Sequence, residues 1–308
     1  MYTNTIPGNQ LATWLSTALI PVTLQTCLGG GWVLTSVAVA VCALVGFIVG
    51  RWGKMPDSRV IAVGEVVFLI VLLSQLIGRS AACWPGDNHP AVPLILLALA
   101  AWSAQKGAEA AARVGCVLFW LIIILYTTLL GTAADSVKME WLRPVMGQWR
   151  WNPVIALLIP SASVVLRKKG DKRSLKYLLP GAVLILGSCI AAGVLSQKQV
   201  DMLADPFYTM SQSLRIFDFA QRFDAVLSAG MTVGWYALMC LLLCIGAAWM
   251  EKMKSGWSRY GAWLIAIPAA ICLLCNLHIE EWLLVIFSTI FWVVLPMITQ
   301  GLEAEKKS

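Results

Sequence analysis

The stretch Thr17-Ala18-Leu19-Ile20-Pro21-Val22-Thr23-Leu24-Gln25 decides how the rest of the chain is read. It lies in an apolar segment that opens near residue 10, so Pro21 falls about 11 residues in, roughly 16 Å at helical rise and close to a bilayer midplane. A proline there has no N–H to donate and crowds the carbonyl of the preceding turn. Backbone groups freed at that depth persist only where they meet protein or a water-filled cavity. A near copy, Leu157-Leu158-Ile159-Pro160-Ser161-Ala162-Ser163, stands in a later apolar segment. Interrupted helices at corresponding places in two halves of a chain point to a small-solute site. The expectation is therefore that Val22, Thr23 and Leu24 leave the helix at the first break, and Ser161, Ala162 and Ser163 at the second. Thr17, Pro21 and Gln25 complete the candidate binding set. A half-helix N-terminus favours an anionic group such as a carboxylate, and freed carbonyls would face an ammonium group or a cation. The competing reading is a plain proline kink whose loose groups are satisfied by neighbouring hydroxyls.

Composition sets the surroundings of that stretch. Of 308 residues, 59% are hydrophobic and 13% charged, with a mean hydropathy of +0.77. A soluble domain carries about 25% charge, so the chain reads as a polytopic membrane protein. Apolar segments run along its whole length, which makes residues 1–308 a single membrane domain in contact with the lipid bilayer. The formal charge of +7 is then a topology signal and not a nucleic-acid footprint. No Lys or Arg precedes Arg51, so the N-terminus lacks the basic region of a secretory signal peptide. All but Cys83 of the nine cysteines fall in apolar segments, which does not support a disulfide framework. Cys272-Leu-Leu-Cys275 reads as a pair of ordinary buried thiols. His89 and His278 are isolated, and no metal-ligand spacing occurs. Without a His/Cys/Asp cluster, nucleophile motif or phosphate-cradling loop, no enzyme and no cofactor is expected.

Ten apolar segments follow one another, at about 10–28, 32–50, 59–78, 91–105, 114–131, 152–166, 175–195, 224–249, 260–277 and 281–299. With the N-terminus inside, most of the 23 Lys and Arg residues gather on one side. That side holds Arg51, Lys54 and Arg59, then Lys106 and Arg113, the Arg167–Lys176 cluster, Lys252, Lys254 and Arg259, and finally Lys306 and Lys307. Both termini are expected in the cytoplasm. Ten spans divide into repeats at about 10–131 and 152–299. An odd number of spans per repeat inverts the second half relative to the first. Pro268 and Pro296 are expected to kink the last two segments. Most tryptophans stand near segment ends, as interfacial anchors do, but Trp235 sits deeper and is a candidate cavity-lining residue.

Ionisable residues inside such segments are functional candidates. Glu65, about 9 Å into the third segment by helical rise, reads either as a proton-coupling carboxylate or as a side chain snorkelling towards Arg51, Lys54 or Arg59. Glu109 and Arg113 have the i, i+4 order of a helical ion pair, with a structural role favoured over gating. Arg222 and Asp224 precede the eighth segment, as an outer gate or as helix cap and anchor. The stretch from Asp205-Pro206 to Asp218 reads as an amphipathic helix at the outer interface, placed to act as a lid.

Several of these places resemble the spore-germination permeases, the B-type membrane subunits of nutrient germinant receptors in the amino acid–polyamine–organocation superfamily. Gln10 and the Trp32 region are similar to a family Gln early in span one and an aromatic after a small-residue turn. Gly107-Ala-Glu109-Ala-Ala-Ala112-Arg113 looks like the Gly-x-Glu-x-x-Ala-Arg element before span five. Leu142-Arg143-Pro144, Pro206, Arg215-Ile216 and Arg222-Phe-Asp224 are similar to the loop and the region leading into span eight. The interval from Leu142 to Arg167 is shorter than members have, and the Gly-Glu element of span six is absent. The resemblance implies a leucine-transporter-like fold and a place in a bacterial inner membrane, that of the spore. It also implies A- and C-type receptor subunits as partners.

The leading expectation is a receptor or permease subunit that binds a small nutrient, an amino acid above all, and triggers spore germination. The alternatives are a proton- or sodium-coupled secondary amino-acid transporter, and a structural membrane subunit.

Overall fold

The computed structural model describes residues 5–27, 31–52, 58–81, 91–142, 152–168, 175–203, 206–213, 223–254, 256–277 and 279–299. Helices account for nearly all of them. In chain order they are α1 (Gly8–Cys27), α2 (Trp32–Trp52), α3 (Arg59–Ser80), α4 (Ala91–Gln105), α5 (Ala108–Ala134) and α6 (Asn152–Ala162). They continue with α7 (Leu179–Leu195), α8 (Gln197–Met202), α9 (Pro206–Ser213), α10 (Phe223–Met253), α11 (Ser258–Leu274) and α12 (Glu281–Thr289). A 3₁₀ turn, Ser163–Leu166, prolongs α6, and a π-helical turn, Ile290–Val294, prolongs α12.

Six of these segments are long and apolar enough to cross a membrane, namely Trp32–Val49, Arg59–Ser80, Ala108–Ala134, Lys176–Leu195, Ala225–Met253 and Glu281–Thr299. The protein is an all-α chain of the multi-pass membrane type. Helix α1 matches such segments in length at 20 residues, but its Asn9, Gln10, Thr13, Ser16, Thr17, Thr23 and Gln25 make it more polar.

Burial explains how that polarity is tolerated. Every residue from Leu11 to Gln25 is buried, as is most of α10 from Leu227 onward, including all of 237–250. These two helices form the axis of the bundle. Helix α10 packs on α1, α3, α4, α5 and α11, while α1 also meets α5, α6 and α7. The periphery inverts the usual soluble pattern. Val37, Val41 and Leu44 of α2, Val117, Trp120 and Ile124 of α5, and Ile286, Ile290, Val294 and Ile298 along the last helix are exposed. Apolar stripes of this extent suit a lipid solvent and no aqueous one.

Local chemistry sets the corners. Gly107 has φ 105°, a left-handed conformation that lets α4 turn into α5 across two residues. Asn276, with φ 50°, ends α11 in the same region, where its short polar side chain is tolerated. At one end of the bundle Ile6 forms a parallel bridge with the chain leaving α6. The Ile6 N–H donates to the Leu166 carbonyl at 2.7 Å, and the Lys168 N–H donates to the Ile6 carbonyl at 3.1 Å. At the other end, Arg79 of α3 pairs with Glu281 of α12 at 2.8 Å, and the Gln75 amide donates to the Leu277 carbonyl.

Lysines close several helix ends by lying over tryptophan rings, Lys138 on Trp141 at 4.3 Å, Lys252 on Trp249 at 4.6 Å and Lys254 on Trp257 at 5.5 Å. Trp14, Trp235 and Trp292 depart from this anchoring pattern and are fully buried. The described cysteines are free thiols, and Cys275 is exposed where a buried one was expected.

Candidate functional site

The proline in α1 does not open the helix. Residues Val22, Thr23 and Leu24 stay helical and buried, contrary to the expectation of an unwound segment. Two arrangements account for this. The Pro21 ring lies against Gly234 of α10, where the missing side chain leaves room for it. Hydroxyls also bond back along the helix and across it. Thr23 Oγ1 donates to the Ile20 carbonyl at 3.2 Å, and Thr17 Oγ1 reaches the Thr13 carbonyl at 3.1 Å and the Gly115 carbonyl of α5 at 2.8 Å. The kink satisfied by neighbouring hydroxyls is the arrangement observed.

The second proline behaves differently. Helix α6 passes Pro160 and tightens to 3₁₀ geometry from Ser163. Ser161, Ala162 and Ser163 therefore sit at a change of helical pitch, not in an unwound break, and all three are buried. Ser163 Oγ donates to the Pro160 carbonyl at 2.8 Å, whereas Ser161 Oγ is enclosed with no hydrogen-bond partner. A buried hydroxyl left so is uncommon and marks a place where a polar partner would be welcome.

Gln25 and Trp235 are brought together from opposite ends of the sequence. Trp235 Nε1 donates to Gln25 Oε1 at 2.7 Å, with the indole fully buried. Its neighbour Tyr236 faces the other way, 2.6 Å from Ser103 of α4. Leu19 and Pro160 line a common cavity of about 50 Å³ with Cys42, Tyr177 and Pro180. Ligand pockets occupy about 300–1,000 Å³, so this cavity is too small to hold a solute. A larger apolar cavity of about 280 Å³ lies between α5 and α7, lined by Ile20, Tyr126, Thr127, Leu130, Gly131 and Ile190. Thr127 and Gly131 are exposed, so this cleft runs from the bundle surface to the residue beside Pro21.

Short helix α9 closes the site on another side. It was expected to lie on the interface, but Phe207 and Met210 are fully buried, and Phe207 stacks on Tyr126 with ring centroids 5.8 Å apart. It touches α1, α5, α7 and α10. Residues 214–218 of the expected amphipathic stretch lie outside the described residues.

Of the ionisable candidates, Glu65 departs most from a surface role. It is 1% exposed, and Oε1 accepts a hydrogen bond from Trp292 Nε1 at 2.6 Å; of the cations it was expected to reach, Lys54 and the Arg51 side chain lie outside what the structure describes. Its Oε2 has no hydrogen-bond partner. Glu109 and Arg113 form the i, i+4 pair at 2.7 Å on an exposed face, a position where such pairs add little stability. Arg222 lies outside the described residues, and Asp224 falls in the first turn of α10.

Sequence reasoning did not foresee Gly234 and Gly115 beside α1, or Trp292 beside Glu65. The polar face of α1, the deep position of Trp235 and the carboxyl of Glu65 were its visible signals. The Thr17 bond to Gly115 gives a direct check of that face. Thr17→Val keeps the shape and removes the hydroxyl, and interhelical hydrogen bonds in membranes average about 0.6 kcal/mol with a maximum near 1.7. Unfolding of the purified variant in mixed micelles should register a loss within that range. A loss of zero would mean that the bond contributes nothing.

No family model matches the chain, and no curated protein matches it either.

Proposed function

We propose that the chain is the membrane-embedded receptor or permease subunit of a nutrient-sensing system, binding a small zwitterion such as an amino acid at the contact of α1, α6 and α10. The observation that carries this reading is a polar, proline-bearing helix enclosed on all sides at the axis of the bundle. A structural subunit has no need to bury Thr17, Thr23 and Gln25 there, because polar groups inside a membrane protein are costly. The enclosed hydroxyl of Ser161 and the Gln25–Trp235 pair supply polar contacts for such a solute. The cavity of about 50 Å³ beside Leu19 and Pro160 lies between α1, α2, α6 and α7, and solute binding at the α1, α6 and α10 contact draws on the population of a more open conformation.

A ten-span, five-plus-five inverted repeat of the leucine-transporter-like kind is the architecture proposed with it. Support comes from which helices touch. Take α1–α5 as one half and α6, α7, α10, α11 and α12 as the other, matched in order. The neighbours α1–α7 then exchange with α6–α2, α3–α11 with α10–α4, and α1–α5 with α6–α12, while α2–α7, α3–α10 and α4–α11 map onto themselves. An internal two-fold axis produces exchanges of this kind, whereas α1–α10 and α5–α10 have no counterpart of similar extent in α6–α3 and α12–α3. With it go two cytoplasmic termini, a bacterial inner membrane (that of the spore, on the resemblance) and A- and C-type receptor subunits as partners.

A second reading, a proton-coupled secondary transporter, is favoured by one observation, the enclosed carboxyl of Glu65. Proteoliposomes separate the two. Saturable amino-acid binding without uptake supports the receptor, and concentrative uptake driven by a proton gradient supports the transporter. A ligand at 100 times its dissociation constant should raise stability by about 2.7 kcal/mol. Pro21→Ala combined with Thr23→Val should weaken that response while leaving the protein inserted. An unchanged response would remove α1 from the binding site, and no response to any amino acid would favour a structural subunit.

A further inference from the structure

The contact between α3 and the last helix contains a feature that solute binding at α1 does not use. Glu65 is buried at membrane depth with one hydrogen-bond donor, Trp292 Nε1, on Oε1 and nothing on Oε2. Around it α3 and α12 meet through rings. Phe68 stacks on Phe291 at 5.6 Å and meets Trp292 edge-on at 5.4 Å. Gly64, next to Glu65, lets the Phe291 ring come within 3.1 Å of where a Cβ would stand.

The backbone that carries those rings is irregular at this point. Ile290–Val294 is a π-helical turn, and Pro296 follows it. Proline crowds the carbonyl four residues before it, here that of Trp292, and so loosens the preceding turn. The wider turn has a consequence for facing. Ser288, Trp292 and Pro296 are buried, while Ile286, Ile290, Val294 and Ile298 are exposed, each set at intervals of four. In a regular α-helix the interval from 288 to 296 would rotate the face by about 80°. The π turn takes up that drift and keeps Trp292 aimed at Glu65. Single π turns inside helices are frequent at functional sites.

An ionised carboxylate with a single donor in apolar surroundings carries a large desolvation cost. A proton on Oε2 removes the charge and leaves Oε1 as the carbonyl acceptor for Trp292. A metal ion is the poorer occupant. The neighbouring N–H is a donor, and no metal-holding group of acidic, His or Cys side chains occurs among the described residues. Nor does a cation among the described residues pair with the carboxyl. Arg79 is paired with Glu281 on α12, Cys240 and Cys244 of α10 are buried free thiols, and Lys252 lies over Trp249. Arg59 of α3, Glu251 of α10 and Tyr260 of α11 make no ion pair or hydrogen bond with it, and α4 contributes no charged residue.

We propose that Glu65 is a proton-binding site covered by the π-helical turn Ile290–Val294: its carboxyl group holds a proton while Trp292 bonds to it and Phe291 packs on Gly64 beside it, and releases that proton to water when the turn moves away. The last helix is placed to do this. Little of it is buried, and it joins α3 through side chains, not through close backbone packing. The inference goes beyond the solute-binding reading and does not depend on which solute is bound.

Infrared difference spectroscopy of the full chain in lipid tests it, because a protonated carboxylic acid has a carbonyl stretch that a carboxylate lacks. The wild type should show that band near neutral pH, where ordinary carboxyls are ionised, and lose it as the pH rises, and Glu65→Gln should lack it over the same range. Absence of the band at every pH, or its persistence in Glu65→Gln, would overturn the assignment. The covering role has a separate readout, the rate at which the acid proton exchanges for deuterium. Phe291→Ala removes a cover without touching the carboxyl. It should exchange roughly tenfold faster, equivalent to about 1.4 kcal/mol of lost closure. Equal rates in the two proteins would dismiss the π turn as a cover.

Discussion

Trp235→Ala is expected to destabilise the protein by about 3–5 kcal/mol, the range for removing a buried tryptophan from a packed interior. The indole is fully enclosed between α10 and α1, so its deletion leaves a cavity at the axis of the bundle. The dispersion attraction forfeited around such a cavity counts as much in lipid as in water, since packing is the main attraction between membrane helices. Trp235→Phe keeps most of the ring and removes only the donor to Gln25. Its cost should stay below about 1.7 kcal/mol, the upper end for single polar contacts between such helices. Thermal unfolding of the three proteins in the same lipid–detergent mixture separates packing from hydrogen bonding. Equal losses for Ala and Phe would assign the stabilisation to the bond.

The second large effect lies one residue away. Gly234→Ala places a Cβ 2.5 Å from Pro21 Cβ and 2.6 Å from its Cγ, distances no real Cβ contact holds. The pyrrolidine ring has no rotamer to move into, so α1 and α10 must separate. Overpacking of this kind costs about 1–3 kcal/mol, and the better helix propensity of alanine returns at most about 1 kcal/mol. A net loss is therefore expected. Gly187→Ala is the natural control. Its Cβ would meet Leu24 Cδ2 at 2.3 Å, but that atom is the tip of a flexible side chain and can turn aside. Combining Gly234→Ala with Pro21→Ala should recover most of the loss, a coupling that a double-mutant cycle reads directly. Without such recovery, the ring is not the obstacle.

The extent of the helices was legible because lipid imposes a length and a composition on each. The expected segment 91–105 coincides with α4, 59–78 with all but the end of α3, and 281–299 with the last helix including its π turn. The course of the chain at Pro21 was not legible. A proline's effect depends on whether a neighbour leaves space for its ring, and that neighbour, Gly234, is remote in sequence. The same holds for Glu65. Its segment showed a carboxyl at depth, but Trp292 reaches it from the far end of the chain, and only the fold joins them. Thr17 and Gln25 were recognised as unusual from their type alone, whereas their partners, the Gly115 carbonyl and the Trp235 indole, required three dimensions. Pro160 was read as a second break equal to the first. The structure makes it the approach to a tightened 3₁₀ turn, because the chain must reach Ile6 within a few residues.

That junction restricts how the molecule can breathe. Main-chain hydrogen bonds tie the entry of α1 to the exit of α6, so prising these two apart at residues 6 and 166 would sever backbone pairing in a medium offering no substitute. Where Arg79 meets Glu281, side chains hold α3 to α12, while a main-chain bond from the Lys138 N–H to the Gly193 carbonyl at 2.9 Å ties the end of α5 to that of α7. The bundle is thus riveted where α1 meets α6 and latched where α3 meets α12, and a motion that parts α12 from α3 leaves the rivet in place.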